Sequence, residues 1–391
     1  MHVLNRLDAD QKWSQEETML LDSVRQLARE KIAPRAAHYD QTAEFPWDNV
    51  KAINELGLNT MFIPEEYGGA PLSYACYLAC VREISQACAS TGIIWATNFH
   101  AIKPLMDYGN AEQKQRLLPR IAEGGLAALV ITEPSAGSDA TGMKTTFTPE
   151  GDSIILNGSK IFISNGDVSD LYVVFGKWSE IEGAKESISA LILEKNTPGF
   201  TVTGVEDKMG TRASGTASLS FDNCRIPRAN LLCNPGDGLK ILLASLNKSR
   251  PSVAAHALGI ARAAFEDAIG YMNERKQSGK KLLEFQGLQF NIADLAAELV
   301  MVESWLWRVA KMVDDNVTDI GIEASILKLK ATDLAMRMAT DAVQFLGGYG
   351  YCKDYRVERL MRDAKITQIW EGTNQVHRQL IGRSFLKKDK R

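Results

Sequence analysis

The spacing of apolar residues changes twice along the chain. In the first third, Met19, Leu20, Val24, Leu27 and Ile32 recur at close to helical spacing. Asn110, followed by Ala111-Glu112-Gln113, predicts an N-cap with an acidic first turn. Pro46, Pro64 and Pro71 mark breaks, and the EEYGG run at 65–69 predicts a loop. From about residue 126 the apolar runs shorten to strand length, at 126–131, 154–156, 160–164, 171–175, 188–193, 200–202 and 217–221. Asn157-Gly158, between two of these runs, predicts a hairpin, because both residues tolerate the positive φ of a type I′ turn. So many strands without intervening helices predict a small antiparallel barrel or sandwich.

Beyond about 237 the helical period returns. Ile292, Leu295, Leu299, Val302, Leu306, Val309 and Val313 step by 3, 4, 3, 4, 3, 4, the stripe of a long helix in a bundle. A second long periodic segment runs from about 322 to 346. The fold class is therefore α+β, in the order α, β, α, with divisions expected at 1–125, 126–236 and 237–391.

Composition narrows the function classes. The chain has 391 residues, enough for two or three folded units, and is 45% hydrophobic and 24% charged. A net charge of -3 gives no basic surface for nucleic acid. No apolar run approaches the roughly 18 residues of a membrane span. The opening MHVLNRLDADQKWSQEE carries acids and lacks an apolar h-region, which argues against a transit peptide and for a cytoplasmic address. The six cysteines include no C-x-x-C. Cys76, Cys80 and Cys88 read as small core residues and not as zinc ligands, and no metal site is expected. Free thiols fit a reducing compartment. The basic end Lys387, Lys388, Asp389, Lys390, Arg391 reads as a solvated terminus.

Chemistry concentrates near the C-terminus, where Glu371 stands in Trp370-Glu371-Gly372-Thr373. A glycine after a carboxylate permits a tight turn and close backbone approach to a ligand. The segments 361–366 (MRDAKI) and 369–375 (IWEGTNQ) resemble the C-terminal signature of acyl-CoA dehydrogenases. The resemblance covers nearly the whole chain. ITEPSAGSD at 131–139 is similar to the family's flavin-contacting strand and loop. DKMG at 207–210 and FDNCRIP at 221–227 are similar to its β-domain landmarks. ERKQ at 274–277, with Phe285-Gln286 and Phe290, resembles its subunit-spanning flavin motif. The fold implied is an N-terminal helical domain, a small antiparallel β-barrel and a C-terminal four-helix bundle.

The resemblance implies desaturation of an acyl thioester. A weakly acidic Cα proton needs a positioned base, and Glu371 matches that base. Hydride from Cβ needs a redox cofactor, since no side chain accepts hydride, and the family implies FAD. The thioester carbonyl needs donors, in the family the amide of the catalytic Glu and a ribityl hydroxyl. Leu129, Ile131, Thr132 and Ser138 match flavin contacts, and Ser138 a substrate contact as well. Phe162 and Ser164 sit where the family places an aromatic ring, usually tryptophan, and a hydroxyl beside the flavin. Arg275 matches a residue pairing with the FAD pyrophosphate of a neighbouring subunit, and Gln277, Gln286, Gln344, Gly347, Gly348, Thr373 and Gln375 match further FAD contacts. Ser278 departs from the usual phenylalanine. Asn247, Arg250 and Gly372 match substrate contacts, and Asn247 stands where the family often has an acid.

The helix around 89–104 lines the acyl end by resemblance. Trp95, Phe99 and His100 are bulky there, which implies a short, branched or cyclic acyl group. His100 reads as a core histidine and not as a catalytic group. The absence of arginine from 83 to 105 disfavours a glutaryl substrate. Electron-transfer flavoprotein and a homotetramer are the implied partners. Enoyl-CoA reductase, acyl-CoA oxidase and desulfinase share the fold. The FPWDNV run at 45–50 resembles a desulfinase subgroup, but that subgroup lacks the glutamate. A catalytically silent flavin-binding scaffold is the alternative of another class, and an intact Glu371 disfavours it. A nicotinamide dehydrogenase is disfavoured because no G-x-G-x-x-G follows a strand.

Overall fold

The structure, a computed structural model, describes residues 6–8 and 10–386. The basic end at 387–391 and the first five residues lie outside them. α1 (Gln15–Leu27) opens on Ser14, whose hydroxyl accepts from Glu17 N while the Glu17 carboxylate accepts from Ser14 N. α2 (Ala33–Thr42), α3 (Trp47–Glu55), α4 (Tyr74–Ala87) and α5 (Ala89–Tyr108) follow. α6 (Ala111–Ala122) starts at Asn110 with the same reciprocal cap, to Gln113. α5 is buried on nearly every side, so it shows apolar residues all round and little amphipathic stripe.

The middle of the chain supplies β1 (Ala127–Val130), β2 (Thr146–Glu150), β3 (Ser153–Ser164), β4 (Leu171–Trp178), β5 (Ile188–Glu194), β6 (Phe200–Val205), β7 (Thr216–Pro227) and β8 (Leu231–Leu232). Their order is β6-β7-β3-β2-β4-β5-β8, with β1 also on β4. This corrects the closed antiparallel barrel: the path is open, and β1 and β2 both pair parallel to β4. β1 meets Leu171–Val174 and β2 meets Lys177–Trp178, so the two act as one interrupted strand beside β4. Residues 131–145 are the interruption, a loop leaving the sheet and returning to it along the same neighbour.

The hairpin expected at Asn157-Gly158 is also corrected. β3 runs straight through these residues, and the turn into it lies at 151–152. The register against β7 shifts between Leu156 and Gly158, a bulge. Gly158 has φ +145°, and a Cβ there would meet Thr145 Oγ1 at 2.6 Å. The glycine therefore serves close approach within a strand.

The C-terminal part is α7 (Gly238–Glu274), the two-residue strands β9 (Lys276–Gln277) and β10 (Lys280–Lys281), α8 (Gln286–Asp314), α9 (Gly321–Leu346), α10 (Val357–Thr367) and α11 (Asn374–Ser384). Ser278 (φ +49°) and Gly279 (φ +80°) make the β9–β10 turn, both in the left-handed conformation that a two-residue hairpin demands. α8 carries the 3-4 stripe, with Leu295, Leu299, Val302, Leu306 and Val309 buried. One apolar core runs through α1, α4, α5 and the C-terminal bundle, and Cys76, Cys80 and Cys88 lie within it. A second core fills the space between α5, α6 and the sheet.

α10 is tied to the β6–β7 connection and to α2. Asp363 accepts from Thr211 N, and Arg362 forms a bidentate pair with Asp40 at 2.9 and 2.7 Å. Burial pushes the Asp363 carboxyl up to about 6, against the pull of the Thr211 amide. These ties fix the start of the segment that carries Glu371. Among the described residues no helix is long and apolar enough to cross a membrane.

Candidate active site

Glu371 lies in the turn between α10 and α11. Glu371 (φ +52°) and Gly372 (φ +93°) are both left-handed. A non-glycine residue in that conformation is strained and persists only where its surroundings enforce it. Lys328, fully buried on α9, donates to Gly372 O at 2.7 Å and to Asn374 Oδ1 at 3.0 Å. Asn374 Nδ2 donates to Asp333 Oδ1 at 2.7 Å, and Asn374 N to Gln368 O at 3.0 Å. The turn is thus held from both sides.

The mostly buried Glu371 carboxylate is directed at α7. Ser249 Oγ donates to Oε2 at 2.6 Å. His100 Nδ1, on α5, is 3.9 Å from Oε1. Arg250 is buried beside them and donates to Asn247 Oδ1 at 3.2 Å. Its proton affinity is lowered by burial, with Glu371 opposing. Burial, then Lys328 and Arg250, lowers His377 to about 3, so that ring is neutral. Arg250 Nε, His256 Nε2, Trp370 Nε1 and both His377 ring nitrogens are buried without a partner. Buried polar groups are ordinarily bonded. This many orphans around one carboxylate mark a place built for a ligand.

A second group of sequence candidates gathers on the sheet. Ile161 N donates to Thr132 O at 3.0 Å, and Lys160 Nζ to Ile131 O at 2.7 Å and Glu133 Oε1 at 2.9 Å. These bonds fasten the 131–145 loop to β3. The register slips between Lys160 and Ile163, and Phe162 (φ +59°) is turned out of the sheet, 60% exposed. Leu129, Ile131, Thr132 and Ser164 are half-buried and Ser138 is exposed.

A third group lies at the far end of α7. Arg275, Gln277, Gln344, Gly347 and Gly348 line a groove of about 540 Å³ with Tyr271 and Tyr349. The Arg275 guanidinium lies 5.7 Å from the centre of the Tyr349 ring. Gly347 caps α9 with φ +61°. Gln286 opens α8 at the same end of the bundle. Thr373 Oγ1 accepts from Val376 N and so caps α11, while Gln375 is exposed. Arg250 lies on α7 and Arg275 caps its C-terminal end, 25 positions away, roughly 37 Å at 1.5 Å per residue. One chain does not bring its own first and third groups together.

Three further residues join the Glu371 cluster. Ser249 lies in the 247–250 segment, between the expected contacts Asn247 and Arg250, and His100 is the buried, hydrogen-bonded histidine expected of a core position but also faces Glu371. Lys328 carried a visible signal: a lysine within the apolar stripe formed by Ala324, Leu327, Ala331 and Leu334.

Three family models match consecutive stretches: the N-terminal domain of acyl-CoA dehydrogenase at 14–125, the middle domain at 128–224 and the C-terminal domain at 236–386. The chain belongs to the acyl-CoA dehydrogenase family, whose members are flavin-dependent oxidoreductases. It is 43% identical to an acyl-CoA dehydrogenase of Bacillus subtilis, over 95% of this chain and 98% of that protein. Among solved structures, butyryl-CoA dehydrogenase from Megasphaera elsdenii matches with TM-score 0.93 and 36% identity, over 97% and 100% of the two chains. A chain from a structure concerned with the electron transferring flavoprotein of Acidaminococcus fermentans matches with TM-score 0.93 and 41% identity, over 97% and 100%.

Proposed function

We propose that the protein desaturates a short acyl-CoA, with Glu371 as the base that removes the Cα proton. The observation that carries this is the Glu371 carboxylate itself. It is strained into place, mostly buried, held by Ser249, and surrounded by buried polar groups without partners.

The residues present fit FAD. Phe162 offers an outward ring beside the 131–145 loop, and the groove at Arg275 joins one guanidinium to aromatic and glycine backbone surfaces. When bound, FAD supplies the acceptor for the Cβ hydride. Leu129, Ile131, Thr132, Ser138, Phe162 and Ser164 would hold the ring end, and Thr373 and Gln375 would flank it. Arg275, Gln277, Gln286, Gln344, Gly347 and Gly348 would hold the far half of the cofactor. The separation along α7 supports that half coming from a neighbouring subunit, and with it an oligomer such as the homotetramer.

The chain's own residues prepare the proton transfer. Ser249 fixes one carboxylate oxygen and leaves Oε1 free to take the proton. Asn247, Arg250 and the Gly372 turn bind the thioester end, with the Glu371 amide as donor to the developing enolate oxygen. Behind His100 the space is filled by Phe62, Tyr74, Tyr77, Trp95 and Phe99, with Tyr77 and Phe99 ring centres 4.5 Å apart. That wall favours a short or branched acyl group, as does the likeness to a butyryl-CoA dehydrogenase. The likeness to a chain from a study of electron transferring flavoprotein supports such a flavoprotein as electron acceptor.

The test is anaerobic titration of the flavin-loaded protein with acyl-CoAs of increasing length. Wild type should bleach fastest with four- to six-carbon chains. Glu371→Gln should bind them but reduce flavin about 10²–10⁴-fold more slowly. A flavin that no saturated acyl-CoA bleaches, or a Gln variant as fast as wild type, refutes the assignment.

A further inference from the structure

His100 is 4% exposed and sits in a defined chain of hydrogen bonds. Its Nε2 is bonded to Ser252 Oγ. The Ser252 hydroxyl donates to Ser249 O at 2.8 Å. With the single Ser252 hydrogen assigned to Ser249 O, Ser252 Oγ accepts from His100 and Nε2 carries the proton. Burial disfavours the charged ring, with Glu371 opposing. In the neutral ring Nδ1 is then a bare acceptor, and Nδ1 is the nitrogen that faces Glu371 Oε1 across 3.9 Å. The other carboxylate oxygen already has its donor in Ser249. Two acceptors therefore face each other with no hydrogen between them.

We propose that this gap is where the abstracted proton goes: His100 is the proton partner of Glu371. The inference rests on Glu371 being the base. The Cα–H bond breaks, its electron pair stays with the acyl group, and an Oε1–H bond forms. That bond then breaks as Nδ1–H forms. The ring becomes imidazolium, bonded to Ser252 through Nε2 and to the restored carboxylate through Nδ1. Acid–base pairs work at roughly 2.6–3.2 Å and tighten in the complex, so rotation of the carboxyl by about 1 Å closes the gap.

Of the charged groups nearby, Glu371 favours an imidazolium and burial opposes it. Arg250 on α7 and Lys328 on α9 stand around the Glu371 turn, and His256 on α7 is neutral. Burial, then His100, holds His256 near 3. Tyr77 on α4 lies against Ser252 and is held neutral by burial. His377 on α11 stands behind Gly372 and is neutral.

The experiment uses holoenzyme labelled with ¹³C at histidine Cε1, where five histidines keep the spectrum simple and His100→Gln assigns the signal. The probe is a short acyl-CoA with sulfur in place of Cβ, which loses its Cα proton but has no hydride to give. Its long-wavelength charge-transfer absorbance reports deprotonation independently. The His100 signal should move to the imidazolium position when the probe binds wild type, and stay put in Glu371→Gln. Charge-transfer absorbance with an unmoved His100 overturns the proton partnership alone. No absorbance in wild type overturns the Glu371 reading beneath it. The second measurement is the pH profile of flavin reduction in His100→Gln, which can still donate to Ser252 but takes up no proton. Its acid limb should fall by about one pH unit, a tenfold change in rate there. A profile that overlays wild type reduces His100 to packing.

Discussion

Lys328 gives its hydrogens to a backbone carbonyl and an amide oxygen, and no carboxylate pairs with it directly. Burial drives its pKa down to about 7, with Glu371 opposing. The unfolded chain would hold that proton up to the ordinary lysine value of about 10.4. Between the two values the unfolded state binds more protons, so stability rises with pH across that window and the cost of a buried ammonium is felt below it. Denaturant unfolding of wild type and Lys328→Met should therefore diverge. The wild type should gain up to roughly 1.4 kcal/mol per pH unit from pH 7 to 9 relative to the variant. Parallel curves would show that Lys328 keeps its proton in the folded state. The lysine was visible in the sequence as an odd member of an apolar stripe. What it holds was not, because Gly372 and Asn374 lie more than forty positions away, and helical periodicity says nothing about such partners. His100 is the same case: its neighbours Ser252 and Glu371 come from α7 and from the turn before α11.

At the scale of elements, caps and long periodic helices were legible because their causes are local. Asn110 and the stripe of α8 needed only a few neighbouring residues. The sheet was less legible, since the choice of partner strand is made across the fold. Both parallel pairings to β4 and the bulge at Gly158 depend on Thr145 and the 131–145 loop, not on the Asn-Gly pair itself. β3 carries a second irregularity with a testable consequence. Phe162 is held left-handed, at about 1–2 kcal/mol for a non-glycine residue. Glycine removes that strain and returns about 0.5–1 kcal/mol in chain entropy. Phe162→Gly should thus leave the flavin-free protein unchanged or up to ~1 kcal/mol more stable in denaturant. It should also weaken flavin binding about tenfold, read by fluorescence titration, because the ring is mostly exposed in the flavin-free protein and would be covered by the cofactor. A variant that loses stability and keeps its flavin would make Phe162 a structural residue.

Across the whole molecule, α5, α7 and α9 converge on the turn at Glu371, while the groove around Arg275 lies at the far end of α7. α7 is the rod that keeps them apart. On the proposed reading, in genetic terms, the unit of catalysis is not the polypeptide. A subunit lacking Arg275 would damage its neighbour's cofactor and leave its own base intact, whereas a subunit lacking Glu371 would damage only itself. Arg275→Ala and Glu371→Gln, each inactive alone, should restore part of the wild-type rate when unfolded and reassembled together: the Arg275→Ala subunit supplies the base and the Glu371→Gln subunit supplies the guanidinium. Two null alleles of this one gene would complement each other, and a mixture as inactive as its parents would place both halves of the site within a single chain.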